Sequence, residues 1–178
     1  MSPRRVPIVL RFETFETPFG PFSVAVDAAG AVVATSFGGK ARLSAKLPDA
    51  TWINDPAATA GARRQLEEYF RGNRREFSLP VAAAGTDFQH RVWSELCKIP
   101  HGRTASYGEI AAALGNPGAS RAVGRANATN PVCVIVPCHR VIGADGSLTG
   151  YGGGMGRKEW LLRHEGAGRA SAQGELAL

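Results

Sequence analysis

A cysteine stands in the string VIVPCHRVIG, residues 134–143, with Pro137 before it and His139 and Arg140 after it. Only a thiolate is a strong nucleophile, and an ordinary thiol, with a pKa of about 8.5, is mostly protonated at neutral pH. A reactive cysteine therefore needs cationic neighbours or a base. Cys138 has candidates for both, and Pro137 puts it where the apolar run ends, at an element terminus near cationic groups, which is where thiol pKa values fall. Adjacency to His139 makes no bond by itself, because neighbours on a strand point to opposite faces. On the residues alone, a reactive and a structural Cys138 both stay open.

A base needs a third group to orient it. Glu165, in the last helix, is a candidate, because a carboxylate at a helix C-terminus opposes the macrodipole and so suggests a partner; a solvated helix end is the other reading. Cys133, within VCVIV, and Cys97, on a helix face, read as core. Three cysteines without CxxC spacing form no disulfide framework and fit a reducing compartment. His90, His101 and His164 read as surface or satisfied histidines. No ligands at zinc spacing accompany Cys138 and His139, so no metal and no cofactor is expected.

The elements that must hold these groups fall into two halves of different texture. At 178 residues and 44% hydrophobic, the chain has material for one substantial core or two small ones. PIVLRFETF, FSVAV and AVVATSF, within residues 7–37, read as an antiparallel meander, 41–56 as irregular, and residues 58–72 as a helix stopped by Gly72. PVAAAG, residues 80–85, marks a boundary. Beyond it, Thr86 with Gln89 and Ser106 with Glu109 form two capping boxes that open helices. The second helix ends at Gly115, and after a turn at 116–118 a short helix runs from about Ser120 to Ala128, carrying Arg121 and Arg125. Helix, tight turn and helix make a helix-turn-helix pattern, which is weak evidence alone. VCVIV reads as a buried strand, VIGADGSLTGY as a hairpin around Asp145-Gly146, and RKEWLLRHEG as a helix stopped by Gly166.

The net charge of +6 suits a polyanion and equally suits ordinary solvation. No apolar run approaches the roughly 18 residues that span a bilayer, and the start, broken by Arg11 and Glu13, does not resemble a signal peptide. The expected location is the cytoplasm, with association with the nucleoid when acting on DNA.

Taken together, SYGEIAAALGNP, SRAVGRANATNP, VPCHRVIGADGSLTGYGGG and KEWLLRHEG resemble the O6-alkylguanine-DNA alkyltransferase family, densely over residues 86–166 and in outline before them. The resemblance implies an α+β protein of two domains: an N-terminal small antiparallel sheet with a helix, ribonuclease H-like, over 1–80, and, after a linker at 81–85, a mostly helical domain with a winged helix-turn-helix-like motif over 86–166. Residues 167–178 read as a mobile tail. It further implies direct reversal of DNA damage. Cys138 takes the alkyl group from O6-alkylguanine in double-stranded DNA as a stable thioether, once per molecule. His139 reaches the thiol through a water and is oriented by Glu165, and Asn130 fixes that arrangement and the adjacent turn.

The target atom lies inside the stack, so its nucleotide must be flipped out, at a cost of a few kcal/mol. By resemblance, Arg121 fills the vacated place and Tyr107 pushes the phosphate and donates a proton or hydrogen bond to the leaving base. Arg125 and the small Ala119, Ala122, Gly124 and Ala126 let the second helix approach the minor groove, whose degenerate reading suits damage in any sequence. Val141, Tyr151 and Gly152 border the base pocket. Gly152 stands where some relatives have a serine, and Cys133 falls at a pocket position that varies in the family. A monomer is expected; cooperative binding on DNA and repair of O4-alkylthymine stay open. A damage-sensing relative without the cysteine, a cysteine hydrolase and a structural DNA-binding module are the alternatives. Cys138 argues against the first, the second leaves Arg121 and Tyr107 without a task, and the third leaves PCHRV unexplained.

Overall fold

The computed structural model describes residues 6–151 and 154–167. The chain divides between Ala83 and Ala84 into two compact units. In the first, β1 (Val9–Thr17), β2 (Gly20–Val26) and β3 (Val32–Phe37) form the antiparallel meander, followed by α1 (Lys40–Ser44), β4 (Thr51–Asn54) and α2 (Pro56–Phe70). The sheet order is β3-β2-β1-β4. Residues 41–56 are therefore not irregular, and the sheet is not purely antiparallel: β4 runs parallel to β1, with Val9 opposite Thr51 and Phe12 opposite Asn54. A four-residue strand whose partner lies some forty residues earlier leaves little local signature, because tertiary pairing rather than pattern makes it.

β2 is buried on both faces from Phe22 to Val26, as is all of β3. Leu10 and Phe12 join Ala25, Val33, Ala34 and Leu43 in one cluster. Phe22 sits edge-on to Phe37 and Phe70 at 5.0 and 5.3 Å between ring centroids. α2 starts where the Asp55 side chain accepts from the Ala58 amide and Pro56 takes the first turn, a position that needs no N–H. The linker expected at 81–85 is partly sheet. Val32 donates to the Pro80 carbonyl and accepts from the Ala82 amide, so Val81 bridges to the edge strand.

The second unit contains α3 (Asp87–Leu96), β5 (Ala105–Ser106), α4 (Tyr107–Ala113), α5 (Ser120–Ala128), a 3-10 turn (Cys138–Arg140), β6 (Val141–Ile142) and α6 (Met155–His164). Both capping boxes form. α4 and α5 are the helix-turn-helix. α3 holds α5 from behind: Trp93 Nε1 donates to the Ala126 carbonyl at 2.8 Å, and Gln89 Nε2 to Thr129 Oγ1 at 3.0 Å. β5 and β6 pair in parallel, Ala105 opposite Val141 and Ser106 opposite Ile142, which sets the start of α4 beside the segment that follows Cys138.

Four local expectations are corrected. VCVIV is no strand; it folds into a tight turn in which the Val136 amide bonds the Val132 carbonyl and Val134 adopts φ +74°. That is a left-handed conformation costly for a β-branched residue. The segment around Asp145-Gly146 is a turn closed by the Gly143 amide on the Ser147 carbonyl, and β6 pairs with β5 rather than with a second hairpin arm. Cys97 is exposed at the C-cap of α3 instead of lying in the core. Ala167, assigned to the tail, is buried; residues 168–178 lie outside the described residues. Among the described residues, no helix is long and apolar enough to cross a membrane.

The Ser106 hydroxyl accepts from the Glu109 amide while Glu109 Oε2 accepts from the Ser106 amide. Ser106→Ala is expected to destabilise the chain by about 1 kcal/mol, read as a lowered urea midpoint at unchanged slope.

Candidate active site

Cys138 opens the 3-10 turn, and the backbone before it is sharply folded. Pro137, at φ −82° and ψ 62°, forms an inverse γ-turn in which the Cys138 amide bonds the Val136 carbonyl at 2.8 Å. The same carbonyl accepts from Asn130 Nδ2 at 3.0 Å, and Asn130 Oδ1 takes the Val132 amide at 3.0 Å. One buried side chain thus clamps both ends of the turn that contains strained Val134. A β-strand would have placed Cys138 and His139 on opposite faces; the 3-10 turn does not. The thiol is 4% exposed.

His139, Arg140 and Glu165 form a buried ionic cluster. His139 Nε2 lies 2.8 Å from Glu165 Oε1. Arg140 grips the same carboxylate with both arms, Nε to Oε2 at 2.9 Å and Nη2 to Oε1 at 2.9 Å, and its Nη1 donates to the Ile99 carbonyl at 2.7 Å. Burial alone would raise the Glu165 carboxyl, but the hydrogen bonds and charges of His139 and Arg140 overcome it and hold the group well below the usual carboxylate range. Burial lowers the His139 pKa, and Arg140 and Lys158 add to this against the opposing pull of Glu165. The two shifts together describe an ionised Glu165 facing a neutral imidazole. An ionised carboxylate only accepts, so Nε2 carries the proton and Nδ1 keeps its lone pair. Nδ1 is buried and has no hydrogen-bond partner among the described residues; it is the atom available to accept a proton. Gly102, at φ +83°, lets its loop approach here, since a Cβ would lie 3.1 Å from the Glu165 carbonyl.

Lys158 was not singled out by sequence, where it reads as one more charge on the last helix. It is fully buried. Its ammonium donates to the Val141 carbonyl at 2.5 Å and the Thr149 carbonyl at 2.9 Å, tying the segment after the cysteine to the loop beyond it. Burial lowers its pKa to about 8, against the opposing attraction of Cys138, so at neutral pH it is a cation within reach of the thiol's charge. Arg140 was likewise noted only as a neighbouring cation. A KxxxxxxE spacing, residues 158 and 165, two helical turns apart, is the signal that one helix supplies both Lys158 and Glu165.

On the helix-turn-helix, Arg121 and Arg125 are exposed one turn apart on α5. Tyr107, first residue of α4, takes a hydrogen bond from the Thr149 hydroxyl at 2.9 Å, and Gly124 faces its ring, a Cβ there lying 3.8 Å from it. Ala119 and Ala122 are half-buried. Ala126, expected at the groove, is buried and turned toward the protein, where its small size serves helix packing. Val141 and Cys133 are buried and Tyr151 is half-buried; Gly152 lies outside the described residues. Among the described residues no group of three or more His, Cys, Asp or Glu is placed to hold a metal ion.

A thiol on a clamped turn and a histidine held against an anchored carboxylate make a candidate nucleophile site, in the same unit as the helix-turn-helix. Residues 87–167 match the family model described as 6-O-methylguanine DNA methyltransferase, DNA binding domain, and residues 10–83 match the ribonuclease-like domain of the same family. The methylated-DNA–protein-cysteine methyltransferase of Methanosarcina acetivorans is 47% identical over 156 residues, 88% of this chain and 98% of that protein. That of Mycobacterium bovis is 46% identical over 171 residues, 96% of this chain and 99% of the relative. The crystal structure of Mycobacterium tuberculosis OGT in complex with DNA superposes with a TM-score of 0.79 at 45% identity, covering 90% of this chain and 94% of that one. The chain belongs to the 6-O-methylguanine DNA methyltransferase family.

The shifts set a pH response. His139 has a folded pKa below its ordinary 6.5, so its contribution to stability is present above pH 6.5 and is lost as pH falls toward the folded value. Glu165 adds a second loss below its ordinary 4.5. Transfer activity is expected to fall on acidification through a midpoint below 6.5, as Nδ1 takes up a proton, with Glu165→Gln removing the lower stability transition. Single-turnover rates and thermal melts across pH 4–8 check both.

Proposed function

We propose that this chain repairs alkylated DNA by direct reversal, as a methylated-DNA–protein-cysteine methyltransferase, with Cys138 as the acceptor. The observation that carries the assignment of residues is the buried His139–Glu165–Arg140 cluster next to the thiol. Its neutral imidazole presents a lone pair that no group among the described residues uses. In this reading a water relays the Cys138 proton to Nδ1. The resulting imidazolium is stabilised by the Glu165 carboxylate at 2.8 Å, and the Lys158 cation favours the thiolate. The sulfur attacks the alkyl carbon, the C–O6 bond breaks, its electron pair goes to the guanine, and a proton from the Tyr107 phenol completes the restored base. Tyr107 suits this task because its oxygen already accepts from Thr149, leaving its own proton to donate. The thioether is stable, so in this reading each molecule acts once.

Arg121 and Arg125 on α5 face the DNA in this reading, Arg121 taking the place of the flipped nucleotide. Ala119, Ala122 and Gly124 keep the helix surface low. Tyr151, Val141 and Gly152 border the flipped base. The preferred substrate is O6-alkylguanine in duplex DNA, and the acting form is a monomer in the cytoplasm.

Mixing the protein with a duplex carrying one O6-methylguanine should add one methyl per molecule, located by peptide mass spectrometry on Cys138 and absent in Cys138→Ser. An unmodified wild-type protein that still binds the lesion would make it a sensor with an idle thiol. Arg121→Ala should slow repair of duplex DNA by at least tenfold while changing the reaction with free O6-benzylguanine less than threefold, because only the duplex needs flipping. Equal losses on the two substrates would remove Arg121 from that role.

A further inference from the structure

The recognition helix reaches the reactive residue through a side chain to which neither the sequence reading nor the family resemblance gave a task. Asn127 lies in the last turn of α5, on the face away from Arg121 and Arg125, and is 3% exposed. Its Nδ2 donates to the carbonyl of Cys138 itself, at 3.3 Å. Its Oδ1 is also buried and has no hydrogen-bond partner among the described residues. A buried acceptor without a partner typically costs about 1–3 kcal/mol, so an apolar side chain of the same size would serve packing better. The orientation of the amide follows from its partner: reversed, it would set oxygen against the Cys138 carbonyl oxygen.

Asn127 and Asn130 together bracket the nucleophile. Asn130 Nδ2 holds the Val136 carbonyl, which receives the Cys138 amide, and Asn127 Nδ2 holds the Cys138 carbonyl. The two peptide groups flanking the Cys138 Cα are thereby fixed from outside the turn, and with them the direction of its Cα–Cβ bond. Three further constraints place Asn127 itself: Trp93 on the Ala126 carbonyl, Gln89 on Thr129, and the Thr129 hydroxyl on the Arg125 carbonyl. The bracket therefore refers the sulfur's position to the helix that carries Arg121 and Arg125. A displacement of about 1 Å in a reacting atom is enough to cost on the order of a hundredfold in rate.

We infer that Asn127 is a positioning residue for alkyl transfer: its amide registers the Cys138 backbone to the DNA-recognition helix, so that the thiol is aimed where that helix delivers the base. The inference rests on Cys138 as the acceptor, and the wild-type control tests that premise separately. If no methyl appears on wild-type Cys138, the acceptor assignment has failed rather than the role of Asn127.

Asn127→Leu keeps the approximate volume and removes the donor. Three quantities are compared with wild type: the dissociation constant for a duplex bearing O6-methylguanine, the first-order transfer rate in the bound complex, and the rate of Cys138 alkylation by iodoacetamide. The expected result is transfer slowed at least tenfold with affinity and iodoacetamide rate each within twofold, since a small diffusing electrophile needs no aimed sulfur. Transfer within twofold of wild type overturns the inference, and so does a parallel fall in all three quantities, which marks a merely structural residue. If Asn127→Leu does not fold, Asn127→Asp, equal in shape but without the donor at neutral pH, is judged by the same criteria. Failure of both variants to fold overturns the positioning role.

Discussion

The Glu165 carboxylate organises the second unit. It ends the last described helix, receives both arms of Arg140 and the ring of His139, and through Arg140 Nη1 reaches the Ile99 carbonyl just beyond α3. Three segments distant in sequence thus meet on one buried charge. Desolvating that charge is expensive, and only the complete set of partners compensates it; deleting one partner of such a pair typically costs about 3–5 kcal/mol. The arrangement gives the site its chemical polarity. Burial, helped by the Arg140 and Lys158 charges, keeps His139 neutral against the pull of Glu165.

Around this anchor the unit uses amides rather than regular structure to hold the reactive turn. Asn130 spans the strained turn at Val134, and Lys158 joins Val141 to Thr149. The parallel pair β5–β6 sets Ser106 beside Ile142, one residue before Tyr107, so the phenol and the catalytic turn are spaced by backbone pairing. Thr149 then connects the two arms, since its carbonyl receives Lys158 and its hydroxyl donates to Tyr107. The helix-turn-helix and the turn at Cys138 are in this way parts of one hydrogen-bonded frame.

Local signals were readable where the chain makes its own contacts. The two capping boxes, the glycine stops and the amphipathic helices needed only residues three or four apart, and they form as read. β4 was missed because its partner is distant. VCVIV was misread because its β-branched run has strand propensity while its true conformation is imposed by Asn130, three residues upstream of Cys133, and by Pro137. For the site, Cys138, His139 and Glu165 were legible on local grounds only as candidates, their joint role coming from the resemblance, and the structure brings His139 against Glu165. The burial of Arg140 and Lys158 was not, since charged residues are ordinarily solvated and nothing local tells which pair will be enclosed. Ala126 shows the reverse case: a small residue on this helix reads as a close approach to a groove, whereas it is buried and its carbonyl accepts from Trp93 behind the helix.

The position of Glu165 in the chain has a further consequence for synthesis. His139 and Arg140 leave the ribosome before the carboxylate that bonds to both, and α6, which also brings Lys158, is the last described helix to be made. Domains form in order during translation, so the first unit, the helix-turn-helix and the two asparagines that hold the turn at Cys138 have their residues early, whereas Arg140 lacks its carboxylate until residue 165 has emerged. A nascent chain stalled short of that point carries the whole helix-turn-helix, while the buried cluster around Glu165 is still unassembled.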